Sequence, residues 1–64
     1  MFKKIQRLSD LKFLLSLEEN IWVDNINESK TFSLDEYKTT MVNLLNNYQS
    51  GDLKTHTSFH LKRN

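Results

Sequence analysis

The chain has 64 residues, nine of them basic and eight acidic, with one glycine, no proline and no cysteine. A domain of this size buries only roughly 60% of the surface that its unfolded chain exposes, so its core is thin and a deep catalytic cleft is hard to build. The absence of cysteine excludes disulfides and Cys-ligated metal centres, and no apolar run exceeds three residues, against the roughly 18 that a membrane helix needs.

One domain over residues 1–64 is therefore expected, and a cytoplasmic one, because "MFKKIQRL" lacks the apolar stretch and small residues of a secretion signal. The abundance of Asn, Lys, Ile and Phe suggests an AT-rich coding sequence of the kind carried by phages and plasmids. Charge is unevenly spread: residues 1–12 sum to +3, residues 13–37 to −5 and residues 38–64 to +3. Basic ends around an acidic centre would steer partners by charge if they fell on separate faces. Ordinary solvated surface charge is the plainer alternative.

In chain order, the first eight residues read as either a helical turn or a short strand. Ser9 or Asp10 can cap "LKFLLSLEEN", whose Leu11, Leu14, Leu15 and Leu17 give an apolar face, so a helix is predicted at about 10–20. "IWVDNI", rich in β-branched and aromatic residues and followed by the polar "NESK", predicts a strand at about 21–26. The clearest signal follows. Ser33 and Glu36 form a capping box, Phe32 and Tyr37 stand at the positions of a hydrophobic staple, and Asp35 and Glu36 complement the helix dipole. Leu34, Tyr37, Met41, Leu44, Leu45 and Tyr48 then recur at helical spacing, predicting a helix at about 34–49 closed by Gly51.

The closing "LKTHTSFHLK" alternates Leu53, Thr55, Thr57, Phe59 and Leu61 with Lys54, His56, Ser58, His60 and Lys62, the pattern of a half-buried strand at about 53–61. The fold expected is α+β, two helices packed on a small antiparallel sheet that the N-terminal segment joins.

The chemistry on offer is limited. On a strand His56 and His60 stand roughly 13 Å apart, too far to share an ion, and the glutamate that a zinc-protease helix places after its first histidine is missing. A histidine and lysine pair could in principle cleave RNA, but a flat strand face excludes no water. One glycine cannot make a phosphate loop. No catalytic, metal or cofactor site is therefore read from the chain.

The leading expectation is a non-enzymatic regulatory or inhibitory protein that binds another macromolecule, most directly a protein. It would use Trp22, a residue type enriched in binding hot spots, with the cationic face of the last strand: Lys54, His56, His60, Lys62 and Arg63. That strand, guarded only by its lysines, could add to another sheet or to its own copy as a homodimer. The alternative is a small DNA- or RNA-binding regulator, with Lys3, Lys4, Arg7, Lys54, Lys62 and Arg63 on phosphates.

Overall fold

A computed structural model describes residues 2–58. Four strands form one antiparallel sheet: β1 (Phe2–Arg7), β2 (Lys12–Ser16), β3 (Ile21–Val23) and β4 (Leu53–Ser58), in the spatial order β3-β2-β1-β4. A single α-helix, α1 (Leu34–Leu44), covers one face, and short 3₁₀ turns occupy Ile26–Glu28 and Ser50–Asp52. The class is α+β, as the sequence reading has it.

The N-terminal segment is one of the two inner strands. Consequently the predicted helix at 10–20 is absent, and that stretch is turn, strand and turn. Leu11 (φ 63°) and Asn20 (φ 57°) both adopt the left-handed conformation, which no right-handed helix can contain. Asp10 does use its preference for capping, but on a hairpin turn. Its carboxylate accepts from the Lys12 amide at 3.2 Å and from Nε and Nη2 of Arg7 at 3.0 and 2.6 Å. With β1 available as a pairing partner, the leucine-rich stretch is drawn into the sheet and helical spacing loses to tertiary context. The expected strand at 21–26 is shortened to Ile21–Val23, because Asn25 caps the following 3₁₀ turn by accepting from the Asn27 amide at 2.9 Å.

The β1/β2 ladder holds only two pairs, Gln6↔Phe13 and Arg7↔Lys12. Past them, residues 30 to 32 take up partners from both strands. The Lys30 amide donates to the Leu14 carbonyl (3.0 Å), while Lys3 and Phe32 exchange both backbone bonds (2.9 and 2.8 Å). This wedge drives Phe32, 2% exposed, into the core beside Ile5, Leu14, Leu44 and Leu53.

The capping box is present: Ser33 Oγ accepts from the Glu36 amide and Glu36 Oε1 accepts from the Ser33 amide, each at 3.3 Å. The helix ends at Leu44, short of the expected 49. The Leu44 carbonyl accepts from the amides of both Asn47 and Tyr48 as the chain tightens out of the helix. The two asparagines at 46 and 47 have little helix propensity to oppose this. Gly51 is no helix terminus; it lies in the second 3₁₀ turn without positive φ. The expected apolar stripe is also rotated. Tyr37, Met41, Leu44 and Tyr48 pack on the core and Thr40 is buried, but Leu34 (47%) and Leu45 (45%) remain exposed on one flank.

Candidate protein-docking edge

The β4 strand stands at the margin of the sheet and pairs with β1 over its whole length, from Phe2↔Ser58 to Arg7↔Leu53. In an antiparallel ladder alternate residues turn their amide and carbonyl toward and away from the neighbouring strand. Because Lys3 bonds Phe32 on the far side of β1, it is Phe2, Lys4 and Gln6 that face β4, meeting Ser58, His56 and Lys54. The Leu8 amide, donating to the Asp52 carbonyl at 2.8 Å, keeps the same phase. Leu53, Thr55 and Thr57 therefore aim their backbone groups outward. The Leu53 amide is satisfied by the Ser50 carbonyl, whereas the amides and carbonyls of Thr55 and Thr57 meet no backbone partner among the described residues.

Side chains on this edge are held from both faces. On the helix side the Tyr37 and Thr55 hydroxyls are 2.8 Å apart, and Lys3 Nζ donates to Thr57 Oγ1 at 3.0 Å while lying 5.3 Å from the Tyr37 ring centre. On the open side Lys54 is exposed, and the His56 ring tilts against Phe13 at 5.5 Å. Gln6 spends its amide nitrogen on the Leu11 carbonyl (3.0 Å), which leaves Oε1 to face His56 Nε2 at 2.8 Å, so that Nε2 carries the proton. His56 thus braces the strand.

Of the residues expected at a binding surface, Lys54 and His56 lie on this edge. Trp22 lies elsewhere, half-buried on the helix-covered face of β3. Its indole N–H donates to Asn20 Oδ1 at 3.1 Å, Tyr48 meets its ring edge-on at 6.0 Å, and the Arg7 guanidinium lies 4.2 Å from the ring centre. His60, Lys62 and Arg63 fall outside the described residues.

The sequence reading places Leu34 and Leu45 in the apolar stripe of the helix and gives neither them nor Lys38 a place at the proposed protein-docking surface. An open groove of about 540 Å³ runs along the other flank of α1, lined by Glu36, Thr39 and Asn43 with Glu18 and Lys30. The flank carrying Leu34, Lys38 and Leu45 is the opposite one, turned toward β4, to which Tyr37 is already tied. The signal was available in part, since the capping box fixes the helical phase and places these three within one arc; which side of the sheet that arc faces is set by tertiary packing.

The basic N-terminus is largely engaged within the molecule. Lys4 Nζ donates to the carbonyl (2.9 Å) and hydroxyl (3.2 Å) of Ser29, and Arg7 donates to Asp10 and, at 3.0 Å, to the Tyr48 hydroxyl. Hydrogen bonding from Arg7 holds the exposed Asp10 carboxyl well below its ordinary value, at about 2, and the same bond raises the Arg7 pKa. Lys3 and Arg7 belong to the helix-covered face, Lys4 and Lys54 to the other. Among the described residues no group of three His, Cys, Asp or Glu side chains could hold a metal ion, and no helix is long and apolar enough to cross a membrane.

No family model, curated protein or solved structure matches this chain.

Proposed function

We propose that the chain is a non-enzymatic regulatory or inhibitory protein that works by binding another protein, docking an extended segment of it along β4. One observation carries this reading: the straight six-residue edge presents the outward backbone groups of Thr55 and Thr57 with the spacing that a further strand requires. Such an edge is an aggregation liability unless it is covered, and Lys54 is the only charge on it. Main-chain bonds give a docked strand its affinity, while the side chains of the two faces set its sequence. We place this activity in the cytoplasm, in keeping with the cysteine-free chain.

Nucleic-acid binding is the weaker reading. Three of its four described cations already donate to partners within the molecule, and the four are divided between two faces of the sheet. Little counterion release would follow from contact with a phosphate backbone.

The test is capture from one lysate by three immobilised chains: wild type, Thr57→Ala and Thr57→Pro. Proline at 57 removes an outward amide and leaves the ladder to β1 intact, which is where an edge strand tolerates it. The expected result is a partner retained by the first two and lost by the third, with matching circular dichroism. Equal capture by all three contradicts strand addition. Retention on a nucleic-acid column that declines steeply with salt would favour the weaker reading.

A further inference from the structure

The strand-addition reading leaves the chemistry of the docked segment open, and the surroundings of β4 narrow it. Helix α1 packs on β1 and is joined to β4 near both of its ends. Its N-terminal turn is tied near Thr55 through Tyr37, and Phe32, just before it, is bonded to β1 at Lys3, opposite Thr57. Its other end reaches toward the start of β4, where Leu44 and Leu53 share the core. From Leu34 to Leu45 the helix advances about 16 Å, and six strand residues span about 20 Å. An added strand would therefore be roofed over most of its length by the flank bearing Leu34 and Leu45, which are 47% and 45% exposed. Every second side chain of that strand would point at this flank and gain by being apolar.

The alternate side chains would point to the open face, where they stand beside Lys54 and His56. The charge at the edge is cationic on both sides, with Lys54 on the open face and Lys38 on the helix flank, both exposed. Residues Leu53–Ser58 hold no carboxylate, and Asp52 precedes the strand. Cross-strand neighbours of opposite sign stabilise a sheet and like charges oppose it. A second copy of this chain meets that condition poorly. No pairing of β4 with itself brings a carboxylate to Lys54, and the symmetric pairing about Thr55 sets Lys54 against His56.

Resting on the strand-addition reading, we infer that the occupant of the β4 edge is an extended acidic segment of a partner protein in which apolar residues alternate with Asp or Glu. The apolar residues lie under Leu34 and Leu45, and the carboxylates face Lys54.

The probes are two fluorescent octapeptides, one alternating valine with glutamate and one alternating valine with lysine, titrated against the full chain. Anisotropy reports affinity and amide chemical shifts report the site. The valine–glutamate peptide is expected to bind on the order of tenfold more tightly at low salt, to perturb the Thr55 and Thr57 amides, and to lose to Thr57→Pro. Lys54→Glu should reverse the preference between the two peptides. Equal affinities with both threonine amides perturbed overturn the charge assignment and leave strand addition standing. Binding that Thr57→Pro does not weaken, or shifts that map away from β4, overturn both. No binding by the valine–glutamate peptide, or sedimentation showing that β4 pairs with its own copy, overturns the acidic occupant.

Discussion

The two edges of the sheet are built in opposite ways. β3 is three residues long, is entered through the left-handed Asn20, pairs with β2 across a register shift between Leu14 and Ser16, and gives way at Asp24 to a capped turn. Its one large side chain, Trp22, is held within the fold by Asn20, Tyr48 and Arg7. Shortness and a broken register are known means of making an edge unfit for pairing. β4 has neither. It runs six residues in register with β1, carries a single charge, and is braced on both faces by Tyr37 and His56. A sheet whose edge is blunted on one side and left in register on the other has one margin at which a further strand can add, and the proposed docking rests on that contrast.

The largest effect on this contrast comes from the wedge that sets both edges. Phe32→Ala removes a nearly fully buried ring and should cost about 3–5 kcal/mol, enough to unfold most molecules of so small a domain. Chemical denaturation followed by circular dichroism measures it. If the variant keeps a native transition, Phe32 does not organise the sheet as described. Next comes the helix that packs on β1. Ser33→Ala breaks the capping box and should cost about 1 kcal/mol, seen as a lower midpoint with an unchanged denaturant slope.

On the β1–β2 turn a smaller, pH-dependent effect is expected. The folded Asp10 titrates at about 2, below its ordinary 3.8, so the ion pair with Arg7 stabilises the fold above pH 4 or so and loses that contribution as the pH falls toward 2. Asp10→Asn should flatten the acid limb of the stability curve on that account. An unchanged limb would mean that the turn does not depend on the pair. Least of all should Thr57→Pro change stability, by about 1 kcal/mol or less, because the amide it removes meets no backbone partner among the described residues. Its effect belongs to docking, so a large loss of stability would show that the β4 ladder runs in the opposite phase.

The parts of the fold specified by local chemistry could be read from the chain. Ser33 and Glu36 mark the start of the helix, and alternation from Leu53 marks β4. The parts decided by distant contacts could not. Leu11 to Leu17 have the spacing of a helix, yet β1 pairs with Lys12 and Phe13 and β3 with Phe13, Leu14 and Ser16 once Asp10 and Arg7 close the turn. Gly51 resembles a helix stop, but the helix had already closed on the Leu44 carbonyl. At the edge, the alternation marks Lys54 and His56 as a polar strand face, while helical spacing assigns Leu34 and Leu45 to the core stripe. Their exposure follows from how α1 sits across the sheet, and no pattern in the helix alone reports that angle.

Amide hydrogen exchange along β4 is the most direct measurement. In the free protein the account expects alternation, with Lys54 and His56 protected by β1 and Thr55 and Thr57 exchanging quickly. When a partner is bound, the two threonine amides should slow and the alternation disappear. Protection of Thr55 and Thr57 in the free chain, or rates at those two amides that binding leaves unchanged, would contradict the claim that this edge is where the protein meets its partner.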